Sequence, residues 1–354
     1  MRNVTIADVA RHAGVGVGTV SRVFNGSGNV SSSMRDRILE SAKALDYVPN
    51  PIASQLKGGR TMNIAYVTTS IDNVTFSEIA RGINSVIAPR GYTLFLTETN
   101  FDVKKEISLV RSLVRRYVDG IILLTSVCED NAKTHEYIAS LSRLMKRETH
   151  IPVVQIAVPS LNPDVDSVTF DDERCAYKAV THLIELGRKK IAYLSVPKHS
   201  AVYRMRYNGF MRAIEEAGFQ RQIQVIEGGF TIRSGYQAMT ALIERGQAVD
   251  AVFTGCDSMA IGVFAACRDH GLRIPENIAV AGIDGLDVSL FVEPQLTTVR
   301  VPRFKMGKTA GELLMKRLSK EMDDFPAQQI VLDTQILIRG STLKSSVNSK
   351  RIYD

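Results

Sequence analysis

The chain has 354 residues, 45% of them hydrophobic and 23% charged, with 44 basic against 37 acidic side chains and a formal charge of +7. That length suggests two or three domains, and those fractions are ordinary globular values that exclude a disordered, collagen-like or coiled-coil chain. No window approaches the roughly 18 uninterrupted apolar residues of a membrane span, and the amino terminus lacks the basic-then-apolar pattern of a secretory signal, so a soluble cytoplasmic protein is expected.

The charge is unevenly placed. Residues 1–60 hold eight basic and four acidic groups, a net +4, and the rest of the chain carries only +3. A small basic head on a nearly neutral body is the footprint of a nucleic-acid reader. Cys128, Cys175, Cys256 and Cys267 are widely spaced, with no pair two residues apart, which removes a zinc ribbon and a thioredoxin-type redox pair and leaves buried free thiols. None of the six histidines lies within four residues of another. No metal and no cofactor is signalled.

Thr5 followed by Asp8 reads as a capping box, and Ile6, Val9, Ala10 and Ala13 then share one helical face until Gly14. Val15 and Gly16 bridge to a second helix, roughly Val17 to Phe24, with Val20 and Val23 inward and Gly18, Thr19, Ser21 and Arg22 outward. Two short helices about a glycine turn read as helix-turn-helix. A third helix starts at Ser31 as cap, and its stripe of Ile38, Leu39, Ala42 and Leu45 is expected to close a three-helix core. Asn50 as cap and Pro51 at the first helical position then predict a short helix ending at Gly58 and Gly59. So short a helix folds only against a partner.

From residue 61 short apolar runs alternate with amphipathic helices. Strands are expected at 64–67, 93–96, 120–124, 152–156, 191–196, 251–254 and 279–283, and this alternation predicts parallel sheets in more than one core. Two nucleotide-binding lookalikes fail. AGVGVGTVS (13–21) does not match G-x-G-x-x-G, and MGKTAG (306–311) has Pro302 where a phosphate loop needs glycine, so it reads as a helix start. EMDDF (321–325) and EDNAKTHE (129–136) read as solvated faces. No nucleophile, base and oxyanion set emerges, and no enzyme is expected.

The run VTIADVARHAGVGVGTVSRVFN, then NVS, then YVPNPIASQLKGGRT, resembles the DNA-binding head and hinge of the lactose-repressor/galactose-repressor family. FSEIARGI, HLIELGRKKIAYL, RYNGF, GYQAM, AVAGIDG, QLTTV and ILIRGST extend the resemblance along nearly the whole chain. The fold it implies is α/β: a helix-turn-helix head (1–48), a hinge helix and linker (49–60), a two-lobed periplasmic-binding-protein-like body with parallel sheets (61–343), and a polar tail (344–354).

By position, the family's base-reading residues fall on Val17 and Gly18, with Arg22 one turn on. The hinge wedge falls on Leu56, and Ala53 beside it allows close approach to a kinked minor groove. Gly16 stands where the family usually has a Ser cap, and Gly18 offers no side chain to a base edge, so Arg22 is the expected guanine contact. Thr19, Ser21, Asn25 and Ser31 are expected on phosphates, and Thr5 and Asn50 belong to the same expected DNA-binding set.

The implied effector cleft is lined by Phe76, Arg206, Phe230 and Asp284, with Asn73, Ser200 and Asp257. Phe76 and Phe230 also read as core aromatics, Asp257 as a helix cap and Arg206 as an interlobe ion pair. Cys256 stands where many sugar-binding members carry Asn. The expected function is a ligand-responsive repressor of carbohydrate-utilisation genes that binds a pseudo-palindromic double-stranded operator as a homodimer, with a sugar or sugar derivative between its lobes. The alternatives are a nucleoside or purine effector, a phosphorylated protein co-repressor and a solute-binding protein. The tail lacks the leucine heptad of a tetramer-forming bundle.

Overall fold

In the computed structural model the chain divides into two units, residues 1–63 and 64–354. The structure describes residues 4–24, 28, 30–47, 60–71, 74–116, 118–127, 135–137, 139–141, 151–160, 162–198, 200–219, 223–246, 248–319, 321 and 325–343.

The first unit opens with α1 (Ile6–His12), where the Thr5 backbone N–H and hydroxyl both donate to Asp8 Oδ2, at 3.0 and 2.7 Å. It ends at Gly14, whose φ of +61° lets its N–H donate to the Arg11 carbonyl and the Val15 N–H to that of Ala10. This left-handed stop suits a residue without Cβ. Then come α2 (Val17–Phe24) and α3 (Ser32–Ala44), the latter with Ser31 at its N-cap. Val9, Ala10, Ala13, Val20, Val23, Ile38 and Ala42 form the core. The expected stripe on α3 is corrected at Leu39, which is 46% exposed. It sits one residue, about 100° of helical turn, beyond the buried Ile38, and Met34 and Leu45 pack on the core instead. Asn25, Asn50, Ala53 and Leu56, and with them the expected hinge helix, lie outside the described residues.

The second unit, whose first strand starts at the unit boundary, runs β1 (Asn63–Thr68), α4 (Val74–Ile87), β2 (Thr93–Glu98), α5 (Val103–Arg116), β3 (Gly120–Leu123), β4 (Val153–Ala157) and β5 (Asp166–Phe170). It continues through α6 (Asp172–Glu185), β6 (Ile191–Ser195), α7 (Ala201–Glu216), β7 (Gln224–Glu227), α8 (Ile232–Glu244), β8 (Ala251–Thr254), α9 (Asp257–Asp269) and β9 (Ala279–Asp284). Last come β10 (Thr297–Arg300), α10 (Arg303–Leu318), β11 (Gln329–Leu332) and β12 (Gln335–Leu337).

These strands make two six-stranded sheets of like order, β11-β5-β4-β3-β1-β2 and β12-β10-β9-β8-β6-β7. The central pairs β1–β3, β3–β4, β4–β5, β6–β8, β8–β9 and β9–β10 are parallel. The central strands read as unbroken buried runs because helices cover both faces. Each sheet reverses its winding at its first strand, and ligands of such sheets bind beyond the strands' carboxyl ends at that reversal. The chain passes between sheets three times, from β5 to α6, from β10 to α10 and from β11 to β12.

All seven expected strands are present, with ends shifted by at most two residues. The reading missed β5, β7, β10, β11 and β12. DSVTF looks like turn sequence because its polar groups find partners only in the fold, where Asp166 meets Arg317. MGKTAG lies inside α10, which starts earlier, at Arg303 after Pro302. Its Gly307 is required by packing: a Cβ there would lie 2.0 Å from the Ile79 carbonyl oxygen of α4.

Candidate functional site

Val17, Gly18 and Arg22 are exposed on α2, with Thr19 and Ser21 half-buried beside them. Arg22 lies along its own helix, Nε donating to the Gly18 carbonyl at 3.2 Å, and a Cβ at Gly18 would meet nothing within 4 Å. Thr5 and Ser31 stand at the starts of α1 and α3. Thr5 is engaged with Asp8, and Ser31 lies 3.4 Å from Ser33, hydroxyl to hydroxyl. The three short helices thus carry seven of the expected DNA-binding residues, Thr5, Val17, Gly18, Thr19, Ser21, Arg22 and Ser31, on themselves or at their caps, and a Cβ at Gly16 or Gly18 would meet nothing within 4 Å.

In the body, the carboxyl ends of both sheets face a cleft of about 580 Å³. Phe76 reaches it from α4, Ser200 from the N-cap of α7, Arg206 from α7, Phe230 from the loop before α8, and Asp284 from the end of β9. Five of the seven expected cleft residues therefore converge. Asn73 lies outside the described residues. Asp257 is corrected: it is fully buried and not among the lining residues, its Oδ2 accepting from the Leu286 N–H at 2.8 Å and its Oδ1 from the Thr298 hydroxyl at 2.6 Å. The N-cap before it is Cys256, which does line the cleft.

The charges are buried and interlocked. Arg206 Nε donates to Asp172 Oδ1 at 2.6 Å, and Nη1 donates to the Gly255 carbonyl. Burial works against the Arg206 charge, and the Asp172 and Asp284 carboxylates outweigh it, so its pKa is raised. Burial pushes the Asp172 and Asp284 carboxyls up, while Arg206 beside them pulls both the other way. Asp257 is also raised, by burial and then by the neighbouring Asp284. Asp284 holds φ at +132°, a region side chains rarely adopt, and the Arg303 guanidinium donates to its carbonyl. Such strain persists where the surroundings over-determine it and is common at binding sites. Burial pushes the Cys256 thiol up to about 12, which keeps it protonated.

Sequence reading missed four contributors. Asp172 opens α6 directly after the first crossing, and the consecutive acids at a strand's carboxyl end were the available signal. Arg303 ties Asp284 to Glu78 of α4, Nε to Oε2 at 3.2 Å. Phe101 stacks on Phe230 across the cleft, centroids 5.5 Å apart and planes 3° from parallel. Glu106, a lone acid on the apolar face of α5, is fully buried and fixes the wall beyond β3. It accepts from the Thr125 hydroxyl at 2.8 Å, the Tyr137 hydroxyl at 2.9 Å and the Ser126 N–H. Burial pushes its carboxyl up, against the pull of those donors.

Cys175, Cys256 and Cys267 are free and buried, whereas Cys128 lies outside the described residues. Among the described residues no helix is long and apolar enough to cross a membrane.

Residues 5–50 match the bacterial regulatory proteins of the lacI family, and residues 180–342 match the periplasmic binding protein-like domain. The chain is 35% identical over 342 residues to catabolite control protein A of Priestia megaterium, covering 96% of this chain and 99% of that protein. The structure of the lac repressor dimer bound to operator and the anti-inducer ONPF superposes with a TM-score of 0.83 at 27% identity, over 97% of this chain and 100% of that one. The complex of the transcriptional regulator CelR with cellobiose gives 0.67 at 30% identity, over 96% and 100%. These relatives are regulators rather than enzymes, and with a helix-turn-helix head preceding two like parallel sheets the chain belongs to the lacI family of DNA-binding transcriptional repressors.

Proposed function

We propose that the protein represses carbohydrate-utilisation genes and responds to a sugar bound between its lobes. The observation that carries the reading is the cleft itself: the aromatic rings of Phe76, Phe101 and Phe230 and the charged group of Arg206, Asp172 and Asp284 line one cavity of about 580 Å³. An apolar wall facing a few convergent polar groups suits a sugar ring, which has one apolar face and a rim of hydroxyls. Cellobiose in the CelR complex supports the same class.

In this reading residues 1–48 bind the operator, 49–60 form the hinge, 61–343 hold the effector and the dimer contacts, and 344–354 are a tail. Arg22 contacts guanine, Val17 and Gly18 lie against base edges, and Thr5, Thr19, Ser21, Asn25, Ser31 and Asn50 hold the DNA backbone. Leu56 wedges into the minor groove, with Ala53 giving it room. A homodimer reads a pseudo-palindromic site, and the effector acts by favouring one lobe arrangement over another.

The test is thermal unfolding of the purified chain against sugars, sugar phosphates, nucleosides and purines, since a cleft ligand stabilises the folded state. A sugar shift followed by altered operator affinity upholds the reading, and a purine or nucleoside hit replaces it. Arg206→Ala should bind operator normally without ligand and lose the response. Leu56→Ala should weaken specific operator binding while sparing salt-dependent nonspecific binding.

A further inference from the structure

Asp172 is an ion-pair partner with one hand empty. Its side chain is fully buried, and only Oδ1 is engaged, by Arg206. Among the described residues Oδ2 has no hydrogen-bond partner. Native proteins leave few buried polar atoms unpaired, because each one costs its desolvation without return. Asp172 is among the residues that line the cleft of about 580 Å³, so its unpaired oxygen lies, buried, in the wall of that cavity.

The two arginines of the cleft are in the opposite condition. Arg206 is held by Asp172 and the Gly255 carbonyl, and Arg303 by Glu78 and the carbonyls of Asp284 and Gly285. A phosphate or carboxylate entering the cleft would meet guanidiniums that already pair with carboxylates, Arg206 with Asp172 and Arg303 with Glu78, and carboxylates that repel it. A hydroxyl or amino group would meet an acceptor that is waiting.

We infer that Asp172 is a specificity-determining residue that accepts a hydrogen bond from a hydroxyl or amino group of the effector, so that the site takes an unphosphorylated, uncharged sugar or amino sugar and rejects its phosphate esters and uronic acids. The inference rests on the effector-binding reading above and narrows it. Rejection can be steep, because a ligand lacking the donor leaves Oδ2 unpaired in a dry site.

The experiment uses the full chain and calorimetric titration with D-ribose, D-glucose, maltose, cellobiose and glucosamine, beside ribose 5-phosphate, glucose 6-phosphate and glucuronate. At least one uncharged sugar or amino sugar should bind ten-fold or more tightly than its charged derivative. Asp172→Asn keeps an oxygen for Arg206 and replaces the other acceptor with an NH2 donor. It should weaken that sugar at least ten-fold while the unfolding midpoint shows that the fold persists.

Single-deoxy analogues separate contact from positioning. One deoxy position should carry a large penalty in the parent protein and lose most of it in Asp172→Asn. Tighter binding of the phosphate ester or uronic acid overturns the inference, as does a deoxy series whose penalties are the same in both proteins. Should Asp172→Asn fail to fold, the sugar-against-ester comparison in the parent decides alone. Binding confined to nucleobases or nucleosides, or absent throughout, removes the sugar-effector reading first, and the inference falls with it.

Discussion

Among the described residues the body buries two aspartate–arginine pairs, and their difference separates structure from function. In the first sheet Asp166 is saturated: Arg317 Nε donates to Oδ2 at 2.8 Å, Nη2 to Oδ1 at 2.9 Å, and the Gln328 N–H to Oδ1 at 2.7 Å. At the cleft Asp172 meets Arg206 through one oxygen only. Both carboxylates are fully buried and both arginines nearly so. Equal burial and equal chemistry leave saturation as the distinguishing feature. A complete pair ties β5, α10 and the approach to β11 together, while an incomplete one at a cavity retains capacity for a ligand.

The largest expected effect tests the saturated pair. Asp166→Ala strands the Arg317 charge in the interior and should lower stability by about 3–5 kcal/mol in urea unfolding, the usual loss when one partner of a buried pair is removed. Effector binding by the surviving folded fraction should stay unchanged. A midpoint that does not move would show that the pair is dispensable and break the contrast with Asp172.

A smaller loss should fall equally on both lobes, because each closes a helix pair on glycine. A Cβ at Gly307 would lie 2.0 Å from the Ile79 carbonyl oxygen between α10 and α4, and one at Gly262 would lie 2.0 Å from that of Ile232 between α9 and α8. Gly307→Ala and Gly262→Ala should each destabilise by about 1–3 kcal/mol, the range for overpacking. Unequal losses would show that one helix pair yields where the other cannot.

The buried acids sharpen the comparison through pH. Burial pushes Glu106 up on the first lobe, and burial with Asp284 pushes Asp257 up on the second. A carboxyl whose folded pKa exceeds its unfolded value stabilises fully below the ordinary carboxylate range, near pH 4, and loses that contribution as pH rises through the folded value. Stability should therefore fall from pH 5 upward, by at most about 1.4 kcal/mol per pH unit for one group. Asp257→Asn should flatten that slope more than Glu106→Gln, since Glu106 has three donors favouring its charge and Asp257 faces a second carboxylate. Urea midpoints at pH 5, 6.5 and 8 decide it, and an unaltered slope in Asp257→Asn assigns the dependence to other groups.

The smallest effect joins the lobes. Phe101 and Phe230 stack nearly parallel across the cleft, and a double-mutant cycle with Phe101→Ala and Phe230→Ala should return a coupling of about 0.5–1.5 kcal/mol. Zero coupling would mean that the rings are neighbours without holding the lobes together.

Much of the frame was legible. The second helix of the head spans Val17–Phe24 as its glycine boundary and two inward valines indicate, and β8 spans Ala251–Thr254 as its apolar run does. The five missed strands are short or polar, and β7, β11 and β12 pair only at sheet edges. Leu39 shows the limit within a helix, where apolar identity alone does not say whether a neighbour covers the residue. For the cleft, resemblance placed Phe76, Ser200, Arg206, Phe230 and Asp284 among the lining residues. It also included Asp257, which the fold turns to the Leu286 N–H and the Thr298 hydroxyl, and it omitted Asp172 and Phe101.

The sequence by itself determined the α/β class, the basic three-helix head and the family, because these rest on local periodicity, caps, glycine stops and contiguous motifs. Tertiary structure alone decided which buried charges are satisfied. Asp166 and Asp172 are six residues apart and identical in type, yet Asp166 meets Arg317 and Asp172 meets Arg206, partners 151 and 34 residues away along the chain. Saturation of a buried carboxylate depends on what the fold brings to each of its oxygens, and no stretch of neighbouring sequence carries that information.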